Sequence, residues 1–247
     1  MNICLFENDE ISAPLSFDDE RGAHILKVLH KKQGDDFTAG IIGGASGVAT
    51  IKRVDDVARQ IFFEFTATGD GKPLNPLKMI VGFPRPIQLR RLLRDVAALG
   101  VSELHLTGTE LGEKSYMQSD LAQPQAAREL LREGTVQAGS THVPKVFVHK
   151  SLKECLEHMA ALRQAQGPRL ICLDNVNPAC SIGQVQFSAD VPVVAAIGSE
   201  RGWTDKERKL LEDAGFIRCG MGERIMRTET AATVAGAIIL NAMGVLK

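Results

Sequence analysis

Aromatic residues are scarce in this sequence, making up 5% of 247 residues with one Trp and one Tyr. That weighs against capture of single-stranded nucleic acid by rows of stacked rings. Charge of one sign is also missing. The formal net charge is -1, so no overall basic field draws in a polyanion. Cysteine is sparse and unpatterned: Cys4, Cys155, Cys172, Cys180 and Cys219 form no C-x-x-C pair and no group with zinc spacing. An odd count in a chain of this length points to free thiols in a reducing compartment, and no bound metal is expected. Long apolar runs are absent too. The most apolar helical stretch, Ala231 to Met243, falls short of the ~18–20 residues of a membrane span. The opening MNICLFENDEIS lacks the basic start and apolar run of a signal peptide, so a cytoplasmic protein without membrane attachment is expected.

What is present is ordinary for a globular chain: 44% hydrophobic and 24% charged residues, enough to bury a core. Residues 1–70 read as β-rich. Short runs of Phe, Val, Ile and Thr at 37–42, 48–54 and 61–68 are separated by Gly43-Gly44 and Asp55-Asp56. Ile25, Val28 and Leu29 predict one helix over 21–31, so a small barrel with one helix fits. The stretch GDGKPLNP at 69–76 marks a linker. Beyond it strands alternate with helices. Strands are predicted at 78–83, 102–108, 145–150, 170–175, 191–198 and 216–220. Helices are predicted at 86–99, 124–138, 151–165, 204–214 and 228–243, two of them opened by the capping boxes Ser151–Glu154 and Thr204–Glu207. This order predicts a mostly parallel α/β sheet. Charge is uneven along the chain. Residues 1–70 carry seven Lys and Arg against twelve Asp and Glu, and 71–163 carry thirteen against nine. A basic surface is therefore sought near Arg90, Arg91, Arg94, Arg128 and Arg132, which read equally well as a solvated helix face.

Two glycine-bearing segments could carry chemistry. Ala195 to Thr204 runs from an apolar strand through Gly198 and Gly202 into a capped helix, at the end of a strand where α/β sheets bind ligands. It is not a dinucleotide fingerprint, a phosphate loop or a nucleophile elbow, and a plain strand-to-helix turn is the simpler alternative. Cys219 to Thr230 places Gly220 and Gly222 before Arg224, Ile225, Met226 and Arg227. Its main chain could hold a flat heteroaromatic ring with Ile225 and Met226 against its faces, or it could be a loop with solvated arginines. The final helix is apolar nearly all round, as in a core or a subunit interface. Cys155 and His158, three apart on a helix, could pair, but nothing in the sequence supplies the third group that a nucleophile needs.

Taken together and in this order, the two glycine segments resemble those of the RsmE family, ribosomal RNA uridine N3-methyltransferases of the SPOUT class. The family reads I-G-P-E-G-G-F-S where this chain has Ile197-Gly-Ser-Glu-Arg-Gly-Trp-Thr204, and L-G-x-R-I-L-R-T-E-T-A where it has Met221-Gly-Glu-Arg-Ile-Met-Arg-Thr-Glu-Thr-Ala231. His24 to Asp35, Ala98 to Leu104 and Gln137 to Pro144 are similar to three further family segments. The chain departs from the pattern at His30, Ala98, Val136, Ser140 and Arg201.

The resemblance implies a PUA-like β-barrel over 1–70 that binds RNA. It implies a SPOUT-type α/β methyltransferase domain with a C-terminal trefoil knot over 71–247. It also implies S-adenosyl-L-methionine as cofactor, 16S ribosomal RNA or the small ribosomal subunit as partner, and a homodimer. Carried over residue by residue, the cofactor set is Leu173, Ile197, Gly198, Glu200, Gly202, Met221, Gly222, Arg224, Ile225, Met226 and Thr228. Uridine N3 must shed a proton to accept a methyl group, and arginine stays protonated. Arg227 is therefore expected to orient the base or stabilise its anion, and Glu200 to accept or steer the proton. A non-catalytic RNA-binding or ribosome-associated protein of the same fold is the alternative.

Overall fold

The computed structural model describes residues 2–161 and 167–246. Two units are distinguished by their internal contacts: 1–73 with 135–143, and 74–134 with 144–247.

The first unit is a curled five-stranded half-barrel. Its strands are β1 (Cys4–Phe6), β2 (Leu15–Ser16), β3 (Asp36–Ile41), β4 (Ser46–Asp55) and β5 (Gln60–Gly69), in the order β1-β3-β4-β5-β2. The period-2 alternation of β3 and β4 turns Phe37, Ala39, Ala49 and Ile51 inward, against Phe6, Ile25 and Ile61. The helix expected over 21–31 is shorter and of mixed type. An α-helical turn, α1 (Glu20–Ala23), runs into a π-helical turn at His24–Val28. There Leu29 N–H donates to His24 O at 2.9 Å, and the chain leaves helical space at His30, whose φ is +51°. Of the three residues whose spacing predicted the helix, Ile25 is buried, while Val28 and Leu29 are exposed. Residues 135–143 belong to this unit through Thr141, whose carbonyl accepts from Gly43 N–H at 2.8 Å and whose hydroxyl donates to Gly44 O at 2.8 Å.

The second unit is a seven-stranded, wholly parallel sheet. Its strands are β6 (Asn75–Gly82), β7 (Val101–Thr107), β8 (Lys145–His149), β9 (Arg169–Leu173), β10 (Cys180–Ser181), β11 (Val193–Ile197) and β12 (Ile217–Gly220). The order is β10-β12-β9-β11-β6-β7-β8. Central β11 is buried along its whole length, which explains the unbroken apolar run VVAAI. The helices are α2 (Pro86–Ala98), α3 (Pro124–Gln137), α4 (Leu152–Ala161), α5 (Asp205–Asp213) and α6 (Thr228–Ala242). The stretch 162–165, expected to continue α4, lies outside the described residues. Strand β12 enters between β9 and β10, two strands that are consecutive in sequence. No helix among the described residues is long and apolar enough to cross a membrane.

Candidate functional site

Parallel pairing aligns the carboxyl ends of four strands. Ile197 of β11 stands in register with Leu173 of β9 and Val81 of β6, and Cys219 of β12 pairs with Leu173. The two glycine segments leave the sheet at this edge from the strands on either side of β9.

The first segment folds tightly because Gly202 takes φ +72°, a left-handed conformation that glycine adopts at little cost. Gly202 N–H donates to Ser199 O at 2.8 Å and closes the turn. Ser199 is buried and accepts from Thr109 Oγ1 at 3.0 Å. Beyond the turn, the capping box seats α5: Glu207 N–H donates to Thr204 Oγ1 at 3.2 Å, and Thr204 N–H donates to Glu207 Oε2 at 2.9 Å. Trp203 turns away from the turn into the core, 2% exposed, against Ile80, Cys172 and Leu211.

The second segment bends at Gly222, φ +97°, and ends where Arg227 stands at the N-cap of α6. The buried Thr228 hydroxyl donates to Gly198 O at 3.3 Å and ties the start of α6 to the first turn. Between the two segments lies a cleft of about 100 Å³, open to solvent. It is lined by Leu173, Ile197, Gly198, Glu200, Gly202, Met221, Arg224, Ile225, Met226 and Thr228, all named from the sequence. Gly222 and Arg227 are not among its lining residues. Asp174, Asn175, Ser199 and Ala231 also line it and were missed by sequence reasoning. Only Asp174 gave a signal, as an acid closing the apolar strand LICL.

Charges surround the cleft unevenly. Asp174 is buried and accepts from Arg208 Nε at 2.6 Å, a bond that raises the arginine above its ordinary pKa. Glu200 is exposed at the rim, where its Oε1 accepts from Arg85 N–H at 3.0 Å. The Arg85 guanidinium donates to Tyr116 Oη at 2.9 Å, which raises its pKa. Among the described residues Arg85, Arg201, Arg224 and Arg227 form no ion pair, so four cations without a carboxylate partner stand on the two glycine segments and at the Glu200 contact. Of the arginines sought for a basic surface, Arg94 and Arg132 are neutralised by Glu133 and Glu129, while Arg90, Arg91 and Arg128 are exposed. The cleft thus offers apolar walls, main-chain hydrogen-bonding groups and a cationic border, a set suited to a flat heterocycle carried near a polyanion. A second cavity, of about 390 Å³ between α4 and α5, is mostly apolar; its charged members Lys153, Glu157 and Asp213 are exposed at the surface, so it lacks converging polar groups.

Residues 71–240 match the family model described as an RNA methyltransferase domain. The ribosomal RNA small subunit methyltransferase E of Treponema pallidum is 45% identical over 244 residues, covering 97% of this chain and 91% of that protein. Among solved structures, the ribosomal RNA small subunit methyltransferase E of Neisseria gonorrhoeae bound to S-adenosyl methionine superimposes with a TM-score of 0.78. Its identity is 22%, and the match covers 98% of this chain and 97% of that one. A probable rRNA-methyltransferase from Porphyromonas gingivalis matches with a TM-score of 0.80 at 19% identity over all of both chains. With the paired glycine turns and this whole-length likeness in hand, the chain belongs to the RsmE family of RNA methyltransferases.

Proposed function

We propose that this protein transfers a methyl group from S-adenosylmethionine to N3 of a uridine in small-subunit (16S) ribosomal RNA. The observation that carries the reading is the hydrogen bond from Thr228 to Gly198, which locks the two glycine turns into one cleft in a chain of this family. The residues present fit the cofactor. A Cβ at Gly198 would lie 3.0 Å from the Gly202 backbone, so the turn accepts no side chain there, and Leu173, Ile197 and Met226 supply apolar walls for an adenosyl group. When bound, the cofactor supplies a methyl group already activated on a sulfonium.

The chain's own residues then have two tasks. The first is to hold the base in line with the methyl group. The second is to stabilise charge as N3 loses its proton. Arg227 carries a free cation at the N-terminus of α6, where the helix dipole adds to its field, and it stabilises the uridine anion. Glu200 accepts the N3 proton through Oε2, while its Oε1 stays fixed by Arg85 N–H. A carboxylate is a weak base for this proton, so proton loss depends on the Arg227 field. The N-terminal unit contacts the RNA through Lys27 on the π-helical turn and His30 and Lys32 just beyond it, all of them exposed. The active form is a homodimer, which light scattering will read as twice the chain mass.

The test combines calorimetry with nucleoside mass spectrometry on small-subunit RNA from a strain lacking the gene. Wild type binds S-adenosylmethionine and forms N3-methyluridine. Arg227→Ala retains cofactor affinity and loses roughly 10²–10³-fold in turnover. Absence of cofactor binding at millimolar ligand, or a methyl group on another atom, overturns the proposal.

A further inference from the structure

A second group of chemistry-bearing side chains sits away from the cleft, where α4 covers β7 and β8. His105 of β7 and His149 of β8 are buried, with stacked rings whose centroids are 5.3 Å apart. Nδ1 of His105 lies 3.0 Å from Nε2 of His149. Cys155 of α4 is fully buried beside them, and one donor atom from each of the three residues falls within 4.8 Å of the other two. His158 follows one helical turn after Cys155, on the same face. Its ring centroid is 5.7 Å from that of His105 and 5.2 Å from that of His149. The His158 Nε2 is buried and has no hydrogen-bond partner among the described residues. Such an atom costs free energy unless something fills its valence.

We infer that His105, His149, Cys155 and His158 form a structural zinc site that fastens α4 to the β7–β8 edge of the sheet. Three imidazoles and a thiolate are a borderline-soft tetrahedral donor set, which selects Zn²⁺ over magnesium or calcium. Tetrahedral bonds of about 2.0–2.3 Å place donor atoms roughly 3.3–3.6 Å apart. The two imidazole nitrogens therefore part by a few tenths of an ångström, the thiolate closes in by up to about 1.2–1.5 Å, and His158, which lies outside the three-residue group, moves in to complete the tetrahedron. Burial lowers the pKa of both His105 and His149, so both stay neutral and keep a lone pair for the metal. Burial also pushes the Cys155 thiol up to about 12, so the thiol stays protonated until the metal displaces its proton to solvent as the Zn–S bond forms. The proton shared between His105 and His149 moves to the remote nitrogen of its own ring. For His105 that nitrogen faces Glu103 Oε2 at 3.4 Å, and Glu103 is itself held by Lys78 at 2.9 Å. A carboxylate behind the imidazole fixes the tautomer a metal ligand needs.

The site does not depend on the cofactor cleft, and its test reads no activity. The full chain is produced in cobalt-supplemented minimal medium and purified under reducing conditions without chelator. Metal analysis and the absorption spectrum follow. The expected result is about one metal ion per chain, with tetrahedral cobalt bands in the visible and a thiolate-to-cobalt band in the near ultraviolet. Cys155→Ser loses the thiolate band while circular dichroism stays native, and Cys180→Ser keeps it. Metal-free wild type, or a thiolate band that survives Cys155→Ser and disappears in Cys180→Ser, overturns the inference. The wild-type measurement decides the matter if the Cys155 variant does not fold.

Discussion

Gly82 ends β6 directly beneath the first glycine turn and touches no ligand. A Cβ at this position would collide with the Ser199 backbone nitrogen, with the Gly198 carbonyl carbon at 2.9 Å and with Ser199 Cα at 3.0 Å. These are backbone atoms of a closed turn, so no side-chain rotation relieves the clash. Ordinary contact begins at 3.4 Å, so Gly82→Ala must push the turn away by at least half an ångström. Overpacking of this kind costs about 1–3 kcal/mol. In a chain of this size that lowers the melting temperature by roughly 2–12 °C. The displaced turn also carries Gly198 and Glu200, and half an ångström is the tolerance within which a binding site works. Affinity for S-adenosylmethionine should fall about ten-fold, or roughly 1.4 kcal/mol. Calorimetry and thermal melting read the two effects. Gly183→Ala serves as the control, because the nearest atom to its added carbon is Ser181 Oγ at 3.9 Å. A Gly82→Ala protein that melts with wild type and binds within about two-fold of it would refute the idea that β6 sets the height of the turn.

Thr228→Val keeps the side-chain volume but removes the bond to Gly198 O. It should cost about 1–3 kcal/mol, seen as a lower urea midpoint at unchanged slope; an unchanged midpoint would mean that the two turns are held by packing alone. Asp174→Ala removes one of the two carboxylates that hold the Arg208 guanidinium, leaving Asp205 at 2.8 Å, and should destabilise the fold by about 1.5–3 kcal/mol. Adding Arg208→Met should recover part of that loss, and additive effects in a double-mutant cycle would show that the pair is not coupled. Burial pushes the thiols of Cys4 and Cys219 up to about 11 and about 12, so mildly alkaline alkylation should mark the half-exposed Cys180 first and leave those two until the chain unfolds. As pH rises above the ordinary thiol value of 9.0, the unfolded chain releases protons that the fold retains. Stability should therefore decline from there towards about 12, and a flat stability profile across that window would show these thiols to be accessible.

Local order was readable from the residues alone. Alternating runs marked β3, β4 and β5, and Thr204 with Glu207 announced the start of α5, because pleat and cap each act within a few residues. Spacing failed at Val28 and Leu29, where a π-helical turn shifts the exposed face and no periodicity reports the change. Strand β10 was unreadable because two residues, Cys180 and Ser181, hold no period. The glycine segments were visible as turns, but sequence left each poised between a ligand site and a plain loop. Their convergence was decided by the insertion of β12 between β9 and β10, which carries Met221 to Thr228 back to Gly198. The side chain of Trp203 was likewise free to plug the cleft until the packing of Ile80, Cys172 and Leu211 drew it into the core. His105, His149 and Cys155 lie on three elements and meet only because β7 pairs with β8 under α4. Caps, turns and alternation depend on neighbours along the chain and are written there. Which strand edges meet, and so which distant side chains share a cavity, is settled by long-range burial and hydrogen bonding in the folded molecule.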